Sequence, residues 1–279
     1  MANLIDIMTE EEKELYGHLV MPVDTNISID NVILSDENSN KIREFKEEMQ
    51  HADELKAYGL HPMNRLLFYG ASGTGKTYLS KALSNYLNYY IVYIDIAKAL
   101  SDGSVSMSIS NIFMIANKYK NCIIFLDECD SIAISRDNYN SDSGVIRRAT
   151  NSIFQSLDQM DSSNVFIAAT NMLHRIDTAF QNRFNLELEF RRPELNVEET
   201  MQKFILPQFT YVDDLDSVIK GIVDKRCRLS YRELTSIAQR AMKKAVIRGD
   251  FTVSASGIYK DVADQQRIKV QFGTDKDKE

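Results

Sequence analysis

The sequence predicts an α/β fold: a five-stranded parallel sheet with helices on both faces, followed by a small all-helical domain. Three observations carry this expectation. Short apolar runs alternate with stretches whose apolar residues recur every three or four positions, the pattern of strands joined by crossover helices. The run Cys122-Ile123-Ile124-Phe125-Leu126 is apolar without interruption, as a strand covered on both faces must be. Beyond Arg191-Arg192-Pro193 the strand-like runs stop and only helical spacing remains.

The elements follow in order. Residues 1–28 are acidic and weakly patterned, and read as a short lead helix over roughly 9–18 with a linker behind it. Ile42, Phe45 and Met49 share one helical face, with Ser35 or Asp36 as the cap, and Gly59 and Pro62 end that unit. Leu66-Leu67-Phe68-Tyr69 is the first strand, and Leu79, Ala82, Leu83, Tyr86 and Leu87 mark the helix after it. Residues 89–96, β-branched and aromatic, make the second strand. Ile109, Ile112, Phe113 and Ala116 form a helix stripe ahead of the third strand, 122–126. An exposed loop over 134–143 precedes the helix of Ile146, Ala149, Ile153 and Leu157. Residues 165–169 are the fourth strand. In the fifth, Leu186, Leu188 and Phe190 alternate with Asn185, Glu187 and Glu189, so one face is wetter and the strand belongs near a sheet edge.

In the C-terminal region Asn196 with Glu199, and Ser230 with Glu233, have capping-box spacing. Leu215, Val218, Ile219 and Ile222 form one apolar stripe, and Leu234, Ile237, Ala238, Ala241 and Ala245 another. The expected division is an N-terminal segment 1–28, an α/β domain 29–191, a helical domain 192–270 and a disordered tail 271–279.

At 279 residues the chain has ample length for a core, and its 44% apolar and 26% charged content is ordinary for globular proteins. No apolar run approaches the ~18 residues of a membrane span, and the N-terminus lacks a secretory pattern. Cys122, Cys129 and Cys227 have no metal-type spacing, and reduced thiols in a cytoplasmic setting are expected. Net charge is −7, yet residues 220–250 hold nine Lys and Arg against three acids. Such a segment suits either a nucleic-acid or acidic-partner surface or the solvated face of a helix.

The chemistry is concentrated in Gly70-Ala71-Ser72-Gly73-Thr74-Gly75-Lys76-Thr77, which fits G-x-x-x-x-G-K-[ST]. A strand precedes it and a helix follows. Glycines let backbone N–H groups curl round a polyphosphate, and the helix N-terminus adds unpaired donors. Lys76 would reach the β- and γ-phosphates, and the Thr77 hydroxyl would bind Mg2+. The third strand delivers Asp127-Glu128 to the same sheet edge. Asp127 would hold Mg2+, and Glu128 would orient and polarise the attacking water. ATP and Mg2+ are therefore the expected ligands.

With LLFYGASGTGKT, CIIFLDECD, VFIAATN and DTAFQNRF in this order, the chain resembles the AAA-family ATPases, in spacing the single-module katanin and spastin (meiotic) type. The resemblance spans roughly residues 29–250 and implies further roles. Asn171 falls at the sensor-1 position, contacting the γ-phosphate or the lytic water. Arg183 matches the arginine finger that reaches a neighbouring subunit's site, here a single arginine after Asn182 where relatives often carry two. Arg232 stands at the sensor-2 position in the first turn of a lid helix, or is one more cation on a basic helix. Val32 and Ile33 fall where the adenine pocket begins. Threading members carry an aromatic-aliphatic-Gly loop, whereas this chain has Ser101-Asp102-Gly103, so the aromatic grip is missing.

The expected function is a Mg2+-dependent ATPase that assembles into a homo-oligomeric ring and remodels or switches a protein partner. Two alternatives stand beside it: an ATP-gated DNA-associated loader using the basic 220–250 segment, and a nucleotide-switched adaptor for a separate effector such as a protease.

Overall fold

The computed structural model describes residues 4–17, 27–94, 105–133, 143–193 and 197–272. The chain's own contacts divide it into two compact units, one of residues 1–70 and 76–190, the other of residues 71–75 and 191–279.

The first unit begins with two short helices, α1 (Leu4–Ile7) and α2 (Glu10–Tyr16). Thr9 caps α2 in a reciprocal box with Glu12. This segment is no loose lead. Leu4 and Met8 are buried in the main core, and Glu12 accepts hydrogen bonds from Lys118 Nζ (2.6 Å) and the Tyr119 hydroxyl (2.5 Å). Those donors hold the Glu12 carboxyl down at about 2, Lys118 contributing most. The helix expected over 9–18 is thus seven residues long, with a second helix ahead of it whose apolar residue the sequence reading passed over.

Helices α3 (Asp36–Gln50) and α4 (Ala52–Ala57) lead to the sheet. Ser35 is the cap of α3, and Ile42, Phe45 and Met49 are its buried face. Then come β1 (Arg65–Gly70), α5 (Lys76–Leu87), β2 (Tyr90–Ile94), α6 (Val105–Tyr119), β3 (Cys122–Leu126), α7 (Ser143–Asp158), β4 (Val165–Thr170), α8 (Thr178–Gln181) and β5 (Leu186–Phe190). The five strands are parallel in the order β2-β3-β4-β1-β5. The central β3 and β4 are buried at every position, while β5, at one edge, alternates.

The period of two along each strand divides the core between the sheet faces. Leu66, Phe68, Ile91, Ile123 and Phe125 pack with Phe45, Leu79 and Leu83 on one face. Leu67, Val92, Ile124 and Phe166 pack with Leu4, Ile109, Phe113 and Ile153 on the other. The sheet's own alternation therefore fixes which side α5 covers. Residues 95–96 of the expected second strand, the 101–103 loop, most of 134–143, Asn196 and the tail from 273 lie outside the described residues.

The second unit contains α9 (Val197–Phe204), β6 (Thr210–Val212), α10 (Ser217–Arg226), α11 (Tyr231–Arg248), β7 (Thr252–Ser254) and α12 (Ala255–Phe272). It is mainly helical, but β6 and β7 pair in parallel, a ladder absent from the expected all-helical plan. Strands of three residues are too short to show a period in sequence. Ser230 and Glu233 form the expected capping box, and Leu234, Ile237, Ala238 and Ala245 are buried. The other stripe behaves differently. Val218, Ile219 and Ile222 are at least half exposed.

Candidate active site

Gly70 ends β1 at φ +140°, where a Cβ would stand 2.0 Å from the Phe190 carbonyl oxygen of β5. Only glycine lets the two strand ends meet here. Within the turn, the Thr74 hydroxyl donates to the Ala71 carbonyl (2.7 Å), and Gly73 and Gly75 both take positive φ. The turn residues 71–75 also touch the start of α11. The Arg232 N–H donates to the Gly73 carbonyl at 3.2 Å, and a Cβ on Gly73 would lie 2.8 Å from Ser230 Oγ. The Arg232 side chain is exposed.

Helix α5 opens with the motif's two reactive side chains. Lys76 is 6% exposed, and its ammonium donates to the Gly70 carbonyl (2.6 Å) and to Asn171 Oδ1 (2.7 Å). Asn171 lies one residue past β4, and β4 pairs directly with β1. The Thr77 hydroxyl donates to Asp127 Oδ2 at 2.8 Å. Asp127 is one residue past β3, and its Oδ1 accepts the Glu128 N–H (2.9 Å). Glu128 is exposed and sits in the left-handed region (φ 50°), at the sharp exit from strand to 3-10 turn. Lys76 and Thr77, Asp127 and Asn171, from three places in the chain, thus meet through direct hydrogen bonds at the carboxyl ends of β1, β3 and β4, with Glu128 adjoining.

Two contributors escaped the sequence reading. The Tyr93 hydroxyl donates to Asp127 Oδ2 at 2.7 Å. Burial pushes its phenol up strongly, and donation to Asp127 adds to this, so it remains a protonated donor at neutral pH. Asp130 accepts from the Thr170 hydroxyl (2.7 Å), and Thr170 in turn accepts the Met172 N–H (2.9 Å), which frames the turn carrying Asn171. Tyr93 owes its place to strand register: β2 and β3 pair Tyr93 with Phe125, two residues before Asp127.

The remaining expected residues lie apart from this cluster. Val32 closes the 3-10 turn Ile29–Asn31, which packs against α5, and Val32 joins the apolar cluster on that face of the sheet. Ile33 is half-buried beside it. Arg183 follows α8, bonds Asp158 Oδ1 at 2.6 Å and lies 4.9 Å from the Phe154 ring centroid. Among the described residues no group of three His, Cys, Asp or Glu stands together as a metal site. The Thr77 and Asp127 oxygens are the hard, sparse donor set that suits Mg2+ when phosphates complete its shell.

A parallel sheet with this strand order, a glycine turn opening a helix and an acid on a neighbouring strand define the class: a P-loop nucleotide-binding domain. More narrowly, residues 66–192 match the model of the ATPase family associated with various cellular activities (AAA). A putative 26S proteasome regulatory subunit homolog of Methanothermobacter thermautotrophicus is 28% identical over 248 residues, covering 87% of this chain and 63% of the relative. The 26S proteasome regulatory subunit 6B homolog of Dictyostelium discoideum is 28% identical over 75% of this chain and 55% of its own length. An uncharacterized AAA family ATPase of Sinorhizobium fredii is 31% identical over 58% of this chain and 49% of its own. The chain spans less than two thirds of the length of these relatives.

Proposed function

We propose that this chain binds and hydrolyses Mg·ATP at the Lys76–Thr77–Asp127–Glu128–Asn171 cluster, and that it assembles with its own copies to remodel or switch a protein partner. The observation that carries the reading is the pairing of the Lys76 ammonium with Asn171 and of the Thr77 hydroxyl with Asp127. The Lys76 ammonium, 6% exposed, is held against the Gly70 carbonyl and Asn171 Oδ1 at the end of the glycine turn. Phosphate oxygens arriving there would give it charge-assisted hydrogen bonds.

On this reading Gly70 to Gly75 present N–H groups to the phosphates, and Lys76 exchanges its present partners for β- and γ-oxygens. Thr77 and Asp127 hold Mg2+, which neutralises charge between the phosphates. Glu128 orients the attacking water, and Asn171 contacts the γ-phosphate or that water. Val32 and Ile33 begin the adenine pocket. Arg232, whose backbone meets the Gly73 carbonyl, is the candidate to sense nucleotide from the helical domain 192–270. Arg183 acts in a neighbouring copy, where a guanidinium would stabilise charge on the transferred phosphoryl group. It must first leave Asp158 to do so. The exposed stripe Val218, Ile219, Ile222 gives the chain apolar surface for such an assembly.

The single-module katanin and spastin placement is part of this proposal and rests on motif spacing. The relatives' names favour a more particular version of the partner: a separate protease for which the chain serves as a nucleotide-driven adaptor.

Phosphate release measured over a range of protein concentrations tests the shared site. Wild-type activity per chain should rise with concentration. Glu128→Gln should bind ATP, accumulate as oligomers and release at least ~100-fold less phosphate. Arg183→Ala should remove the concentration dependence and most of the turnover. An Arg183→Ala protein as active as wild type at every concentration would refute the intersubunit role.

A further inference from the structure

We propose that Tyr93 is a positioning residue for the metal-binding carboxylate: its hydroxyl anchors Asp127 Oδ2 and thereby sets the Mg2+ requirement of the site. The inference rests on the reading that Asp127 serves Mg2+.

The geometry distinguishes the donors around Asp127. Among the described residues three reach its carboxylate: the Thr77 hydroxyl and the Tyr93 hydroxyl on Oδ2, and the Glu128 N–H on Oδ1. The Glu128 N–H belongs to the adjacent residue and cannot by itself fix the side-chain rotamer. Thr77 is itself an expected metal ligand, so its bond to Asp127 is the one that metal loading withdraws. Tyr93 has no such second duty. Among the described residues it is the long-range donor to Asp127 with no expected metal-ligand role, and it can stay on the carboxylate in both states.

The tyrosine is built to hold still. It occupies a strand position paired in register with Phe125, and the two rings lie 5.0 Å apart at 60°, a favourable tilted contact. Its face of the sheet is the one covered by α5, the helix that carries Thr77. A rigid phenol fixed by two strands therefore aims one donor at one oxygen. A carboxylate free to rotate loses most of the advantage of being aimed at the ion, because positioning within about 0.5 Å decides how well such a site works.

Tyr93→Phe removes the hydroxyl and keeps the ring against Phe125. The probe is a fluorescent ATP analogue, titrated at fixed protein over a range of free Mg2+ and separately in EDTA. We expect the Mg2+ concentration for half-maximal binding to rise about tenfold, within the span reported for loss of groups that orient metal ligands. Affinity in EDTA and the melting temperature without nucleotide should match wild type, which a merely structural loss would not allow. An unchanged Mg2+ midpoint, or a lower one, overturns the proposal. A wild-type protein that binds the analogue equally with and without Mg2+ overturns the underlying assignment of Asp127 instead.

Discussion

Lys76 and Glu12 show how differently two charged side chains can be used. Lys76 is nearly buried, and its ammonium donates to the Gly70 carbonyl and to Asn171 Oδ1 at the carboxyl ends of the strands. Glu12 is fully occupied by its own fold, accepting from Lys118, Tyr119 and Thr9. Its carboxyl titrates lower when folded than when unfolded, about 2 against 4.5. Folding therefore gains from Glu12 at every pH above its unfolded value, and the gain disappears as pH falls from about 4.5 to about 2. Urea unfolding of wild type and Glu12→Gln should differ in midpoint at pH 6, with the gap closing across that window. A gap that is constant with pH would deny the carboxylate its role. The residues of the glycine turn, Lys76, Thr77 and the Asp127-Glu128 pair were legible in sequence because their spacing is local. Tyr93, Asp130 and the Asp158 partner of Arg183 were not, because each depends on strand register or on a contact between distant elements.

At the scale of elements, period is what made the fold readable. Continuous apolar runs gave the central strands, and alternation gave β5 its edge position. The elements that went unread share one cause, shortness. Helix α1 has four residues and β6 and β7 three each, too few to display a period. Periodicity also reports that a helix face is apolar without saying what covers it, and the stripe of Val218, Ile219 and Ile222 is exposed. The burial of Leu4 makes a quantitative claim about α1. Leu4→Ala should lower unfolding free energy by about 2–5 kcal/mol in denaturant titration, as for a fully buried leucine. A loss below about 0.5 kcal/mol, typical of surface positions, would mean that α1 is dispensable to the core.

At the scale of the whole molecule, the two compact units divide the labour unevenly. The acid, the lysine, the threonine and the asparagine all lie in the first unit, on strand ends and one helix start. The second unit groups with the glycine turn itself, through Ser230 and Arg232 against Gly73. The proposed function rests on a nucleotide bound at the Lys76, Thr77, Asp127 and Asn171 cluster. Calorimetric titration of ATP in the presence of Mg2+ tests that foundation most directly. One ATP should bind per chain, with affinity falling at least ~100-fold in Lys76→Ala. Absence of binding to wild type, or equal binding by Lys76→Ala, would contradict it.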